Sequence, residues 1–439
     1  MTLSSAVPKN EPWISRESLG VALVLVGQTL GWAVRGMVGG GDNPVYPVVP
    51  LVTAIGLLAK PQWLYSTKLY SDPQLLAIPI LLLIVPYALL CLTDSSLFPG
   101  GAYLVFVFLL IGCVALTPHD RFRTLPRAVM VVGMIGSIEP LIELLVNPLE
   151  HVGRLASSGN SDVLITGEVG GITLMSAILV GDEEGGTSIL AGLLASLAFT
   201  AGLGALILSD KRSDELILFA VVGVYLILRQ RRERLAGAPK IGRQRLVFGS
   251  FLIGSVASLP ALATVFLNKY ALLLFEQQSE SHRGGFFNSM TSGSSYVADT
   301  STASRFATIE FAFKRLSIFG LGIMHQSNLQ GNGVYTHLSY LQAYYDLGVL
   351  GGTVFLLVQL LLPAALAVLR VLMAPISQKD AFIILLWIYI QGDAFTHGVP
   401  YGWPSLTVVC LVYAMLFSRT EVAEDEDEGA EMADALPSS

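Results

Sequence analysis

Apolar residues in this chain come in long blocks with few charges, not in the periodic stripes of a soluble fold. Residues 75–92, 102–116, 188–208, 246–267 and 347–369 are runs almost free of charge. A bilayer core of about 30 Å is crossed by about 20 residues of helix. A helix also satisfies its own backbone N–H and C=O groups in lipid, which otherwise only a closed barrel does. These runs lack the two-residue alternation of a barrel strand. With the shorter blocks included, spans are expected near 19–37, 44–60, 75–93, 101–117, 127–147, 164–180, 187–208, 215–228, 246–268, 347–370, 380–396 and 403–418. The sixth, eighth and twelfth are short and glycine-interrupted or tightly linked. The expected fold class is an all-α polytopic membrane protein of about twelve transmembrane helices.

Lys and Arg set the orientation. With both ends inside, cytoplasmic segments hold 17 of the 26 basic residues, including the run Arg229, Arg231, Arg232, Arg234, Lys240, Arg243 and Arg245. The positive-inside rule then puts both termini in the cytoplasm. Nine basic residues fall outside: Arg35, Arg154, Lys211, Arg212, Lys269, Arg283, Arg305, Lys314 and Arg315. Basic residues placed against the bias call for a reason.

Composition agrees with the blocks: 53% hydrophobic and 13% charged residues exclude an ordinary soluble domain of 439 residues. The net charge of −7 comes from the tail, where residues 421–434 hold eight acidic and no basic residues. That tail is expected to be disordered. Cys91, Cys113 and Cys410 sit in apolar spans and read as small buried hydrophobes. The first apolar run reads as a retained span, not a cleaved leader. The chain divides into an N-terminal membrane region 1–268, a large loop 269–346, C-terminal spans 347–420 and an acidic tail 421–439.

Long loops in compact folds are usually functional or disordered, and 269–346 holds five of the nine outward basic residues. Its first part is rich in Ser and Gly. Residues 304–316 then pattern as an amphipathic helix, with Phe306, Ile309, Phe313 and Leu316 on one stripe and Arg305, Thr308 and Arg315 on the next. Such a helix suits a membrane surface. A Phe319-Gly320-Leu321-Gly322 turn follows. A second helix is expected from near Thr336 into the tenth span, with His337, Tyr340, Leu341 and Tyr344 on one face. Gly348 and Gly352, four apart, predict close packing between membrane helices.

The order Ser304-Arg305, Phe319-Gly320-Leu321-Gly322, His337-Leu338-Ser339-Tyr340-Leu341-Gln342 and Leu347-Gly348-Val349-Leu350-Gly351 resembles the O-antigen ligase and Wzy-type polysaccharide polymerase superfamily. The likeness is concentrated in 304–352, and Leu338 stands where that family often has asparagine. The resemblance implies a GT-C-like glycosyltransferase of the bacterial inner membrane, with no nucleotide or metal cofactor. It implies that His337 activates the acceptor hydroxyl and that Arg305 binds the diphosphate. Arg212, in Leu208-Ser209-Asp210-Lys211-Arg212-Ser213, resembles a second phosphate-contacting element, and Arg154 matches a third more loosely. Tyr340 and Tyr344 are weaker candidates for sugar contact. The implied partners are a polyprenyl-diphosphate-linked glycan donor, a glycan acceptor and membrane lipids, with a chain-length regulator admitted and no nucleic acid.

The chemistry stands apart from the resemblance. A departing diphosphate needs its charge held, and arginine does this with a planar fork that stays protonated. A hydroxyl nucleophile needs a base poised near neutral pH, most often histidine. The plainer alternatives are a helix-start histidine for His337, an interfacial anchor for Arg305 and a solvated charge for Arg154. Glu139 and Glu143, four apart around Pro140, are ionisable groups inside a span; they read first as structural pairing partners. Polymerase and ligase differ only in acceptor. A transporter or flippase fits twelve spans equally, although its key groups belong near the midplane in broken helices. A scaffold for an envelope complex has no positive support.

Overall fold

The structure, a computed structural model, describes residues 12–30, 45–59, 109–115, 117–146, 163–184, 188–209, 212–235, 309–318, 338–373, 376–395 and 403–417. Among these residues 91% are helical and none is in a strand. The helices are α1 (Arg16–Val26), α2 (Val45–Leu58), α3 (Leu125–Val146), α4 (Val163–Glu184), α5 (Ile189–Ser209), α6 (Arg212–Leu235), α7 (Ser339–Leu356), α8 (Leu362–Met373), α9 (Gln378–Ala394) and α10 (Trp403–Phe417). Among the described residues four stretches are long and apolar enough to cross a membrane: Leu125–Ile142, Ile165–Glu184, Ile189–Ser209 and Ser339–Leu372. Val49–Leu58 and Pro404–Met415 are shorter apolar helices. The described part of the chain is all-helical, with the long apolar helices of a membrane protein. The spans expected near 75–93 and 246–268 lie outside the described residues.

Several boundaries move from the sequence reading. The sixth and eighth spans, expected at 164–180 and 215–228, belong to longer helices, because Gly181 and the arginine run do not stop them. The first, expected over 19–37, is helical from Arg16 to Val26 and breaks at Gly27, whose N–H still bonds the Leu23 carbonyl at 3.0 Å.

Glycine sets the tightest crossing. A Cβ on Gly170 of α4 would lie 2.8 Å from the Gly202 carbonyl oxygen of α5, and one on Gly202 would lie 2.7 Å from that of Gly170. The two backbones therefore touch, as membrane helices do where small residues meet. Helix α3 leans on both, and α1 packs on α2 and α3. Helix α9 packs on α4, α6 and α10, and Phe382, Ile383, Leu385 and Leu386 on it are fully buried.

Charge fixes one end of the bundle. Asp182, Glu183 and Glu184 close α4, and each carries its own arginine: Arg229 (3.0 Å), Arg232 and Arg127 (2.7 Å) respectively. Arg231 donates to the Leu372 carbonyl at 3.0 Å, capping the last turn of α8. His119 Nε2 lies 3.0 Å from Asp380 Oδ1, and Arg370 donates to Oδ2 at 3.1 Å. Ser15 Oγ donates to the Arg121 carbonyl at 2.9 Å. Segments that the charge bias assigns to one side thus meet at one end. Three of the arginines read as a topology signal also clamp helices together.

The tenth span is broken, where the sequence predicted a helix running through from Thr336. Gly348 adopts φ 76°, ψ 178° inside α7, a conformation open to glycine and strained for residues with a Cβ. The break frees N–H groups at the start of the second half. Val349 and Leu350 donate instead to the carbonyls of Ser317 and Ile318, at 2.8 and 3.4 Å. Gly352 then faces Tyr344 of its own chain, 2.7 Å from a would-be Cβ to the Tyr344 Cα. Gly348 thus makes the bend, and Gly352 lets the helix pack closely on Tyr344.

Further along, residues Leu357–Leu361 form a π-turn. Pro363 is its cause: it has no N–H to offer the carbonyls four and five residues back, and its ring crowds them. Those two carbonyls accept from side chains instead, Gln359 from Trp387 Nε1 at 3.4 Å and Val358 from the Tyr413 hydroxyl at 2.6 Å.

Candidate functional site

The end of the bundle opposite the arginine clamps holds the start of α6, the first half of α7, the end of α9 and the start of α10. Tyr340, on the first turn of α7, donates its hydroxyl to Gln391 Oε1 on α9. Gln391 Nε2 donates to Ser405 Oγ on α10 at 3.3 Å, and Gln359 Nε2 of the π-turn donates to the same oxygen. The Tyr340 ring sits 4.7 Å from that of Phe395, tilted by 46°. The ladder is buried throughout. In a membrane interior its polar groups are stable only with partners of this kind.

A second group surrounds Tyr389, fully buried one turn below Asp393 on α9. Asp214, Asp393 and Glu168 lie within electrostatic reach of its hydroxyl. Asp214 is in the first turn of α6, where a carboxylate is favoured by the helix dipole. Among the described residues no group of three His, Cys, Asp or Glu is placed to hold a metal ion.

The sequence candidates are placed unevenly. Arg154, Arg305 and His337 lie outside the described residues, as do the loop helix before Ile309 and the histidines at 282, 325 and 397. Arg212 is the first residue of α6. Tyr340 points into the ladder, whereas the Tyr344 hydroxyl turns to Thr353 Oγ1 at 3.2 Å; the two tyrosines thus have different surroundings. What the structure brings together are the flanks of the candidates. Gln391, bonded to Tyr340, neighbours Gly392, from which a Cβ would reach Ile217 of α6 at 2.9 Å. Tyr340 follows His337 by three positions and Ile217 follows Arg212 by five. The segment after Arg305 also docks here, since Ile309 and Ala312 pack on Leu338, Leu341 and Tyr345.

No protein family, curated protein or solved structure matches the chain. The ladder's phenol, amides and hydroxyl do not exchange protons readily near neutral pH. It can position the first turn of α7, and acid–base work needs ionisable groups beside it.

The sequence reading missed the ladder, although its signal was visible: Gln359 stands alone in Leu-Leu-Val-Gln-Leu-Leu-Leu, and Gln391 ends an apolar run. It also missed His119, which is 5% exposed. Burial holds the imidazole below the ordinary value of 6.5, with the hydrogen bond to Asp380 opposing that shift. Since the folded value is the lower one, the unfolded chain binds more protons between the two. Stability is therefore complete above 6.5 and declines as pH falls from there towards the folded value. Unfolding temperature in detergent between neutral pH and pH ~5 is expected to fall more steeply for the parent than for His119→Gln. Equal slopes would remove this assignment.

Proposed function

We propose that the chain is a GT-C-like glycosyltransferase that joins polyprenyl-diphosphate-linked oligosaccharide repeat units on the non-cytoplasmic face of a bacterial inner membrane. It would have twelve spans, both termini in the cytoplasm and the loop 269–346 outside. The acceptor hydroxyl oxygen attacks the anomeric carbon as the bond from that carbon to the diphosphate oxygen breaks, with inversion. His337 takes the hydroxyl proton. The polyprenyl diphosphate leaves with its negative charge held by Arg305 and Arg212, joined by Arg154.

One observation carries the reading: Gln391 and Gly392, adjacent on α9, touch Tyr340 and Ile217, so the flanks of His337 and Arg212 converge. The docking of residues 309–312 on the same part of α7 brings the flank of Arg305 towards it. Convergence of a base and of diphosphate-binding cations is what direct displacement needs.

Purified protein in vesicles, given a defined polyprenyl-diphosphate oligosaccharide, is expected to yield a ladder of products longer by whole repeat units. Transfer only to a different acceptor, such as a lipid A core or a protein, would make it a ligase. No new glycosidic bond in either assay would end the proposal. A second reading, transport or flipping of a lipid-linked glycan, is favoured by the broken α7, the π-turn and the buried Gln359–Ser405–Gln391 ladder, since broken helices with polar groups are where transporters bind cargo. Its signature in the same vesicles is unchanged donor moved to the other leaflet.

A further inference from the structure

The segment 309–318 shows two faces. Ala312 and Ile309 turn inward onto α7. Phe313 and Ile318 turn outward, 60% and 65% exposed. Two such side chains carry meaning only where they are continuous with other exposed apolar surface.

Their surroundings say what covers them. The Leu350 N–H donates to the Ile318 carbonyl, so Ile318 sits beside the start of the span's second half. There Leu350 is 64% exposed, and Val354, Leu357 and Leu361 are exposed after it. These positions recur at helical spacing down the most apolar candidate span, of mean hydropathy 2.3 and only 22% buried. That face has the character of a lipid-facing surface, and the 309–318 segment continues it past the Gly348 bend. The same short segment carries Lys314, which pairs with Glu310 at its surface, and exposed Arg315, whose guanidinium lies 4.1 Å over the Phe311 ring. Apolar side chains beside long cationic ones are the make-up of an element lying in the headgroup boundary.

We infer that residues 309–318 form an interfacial anchor. Phe313 and Ile318 enter the phospholipid headgroup boundary at the end of the bundle opposite the arginine clamps, and Lys314 and Arg315 lie at phosphate level. The Ser317 and Ile318 carbonyls bond this anchor to the broken span, so the bend at Gly348 is held at a set depth in the bilayer. The inference is independent of the reaction proposed above and holds for an enzyme or a transporter.

Spin labels on single cysteines test it, in a background with Cys91, Cys113 and Cys410 replaced by alanine and the protein in phosphatidylethanolamine–phosphatidylglycerol nanodiscs. Labels at 313 and 318 are expected to relax several-fold more with oxygen than with a water-soluble nickel chelate, as a label at 354 does. Labels at 310 and 314 are expected to show the reverse. Preference for the chelate at 313 and 318 overturns the inference, and so does exclusion of both reagents, which would mean a protein cover. Should the cysteine variants fail to fold, the unmodified protein serves. A membrane-partitioning diazirine is expected to label the peptides holding Phe313 and Ile318, and a water-soluble one to leave them unlabelled; the opposite pattern overturns the anchor.

Discussion

Replacing Asp380 with alanine is expected to destabilise the bundle by about 3–5 kcal/mol, the usual cost of removing one partner from a buried charged pair. Asp380 is 3% exposed and accepts from both His119 and Arg370, at 3.0 and 3.1 Å. Its backbone N–H is capped by Ser377 Oγ at 3.1 Å, so it also belongs to the first turn of α9. Alanine strands the Arg370 guanidinium, whose Nε has no partner already, and a histidine whose Nδ1 is likewise bare. Three chain segments lose their common point: the turn at 119–122, the end of α8 and the start of α9. Asp380→Asn keeps the shape and one acceptor oxygen but not the charge, and is expected to fall between parent and alanine. The triple variant His119→Leu, Arg370→Met, Asp380→Leu is expected to regain much of the loss, because no charge is left buried. Equilibrium unfolding in mixed micelles measures all three. An Asp380→Ala protein within about 1 kcal/mol of the parent would show the pair to behave like an exposed one.

The membrane helices were legible because lipid demands only length and apolarity, and both are written in blocks. The limits of α4 and α6 were not, because the charged residues that end an apolar run need not end a helix. Asp182, Glu183 and Glu184 continue α4 since Arg229, Arg232 and Arg127 arrive from elsewhere in the chain. Such pairing is tertiary, and no window of sequence contains it. Gly348 illustrates the same gap. Its spacing from Gly352 matches a helix-packing motif, yet the backbone turns there because the carbonyls of Ser317 and Ile318 are at hand to receive the freed N–H groups. The π-turn was nearer to readable: Pro363 in an apolar run announces two unpaired carbonyls, although not that Trp387 and Tyr413 would supply the donors.

The site divides along similar lines. The residue types that the proposed chemistry requires stand out in sequence, the guanidiniums because the expected orientation works against them and His337 because of its motif. The neutral groups that hold the scaffold do not stand out in this way. Tyr340, a weaker candidate for sugar contact on the His337 face, has its hydroxyl engaged by Gln391 within the bundle. That bond ties the start of α7 to α9.

His337→Ala is expected to lower glycosyl transfer by about 10²–10⁴-fold, the contribution usual for a positioned general base. The first turn of α7 is fixed from three sides: by Gln391 through the Tyr340 hydroxyl, by Phe395 against the Tyr340 ring, and by Ala312 and Ile309 against Leu341 and Tyr345. His337 precedes that turn by two positions in the sequence, and a base that is to meet an acceptor hydroxyl in each turnover needs a held scaffold of this kind. Loss of the base also changes the pH profile: the acid limb of the rate, set in the parent by protonation of the base, is expected to vanish in His337→Ala while the residual rate stays flat. Tyr340→Phe, which removes the bond to Gln391 but leaves the imidazole, should lower the rate without removing that limb. The measurement is initial rate against pH with a defined lipid-linked donor, on protein shown to keep its unfolding temperature. A His337→Ala enzyme with parental rate and an intact acid limb would take the imidazole out of the reaction.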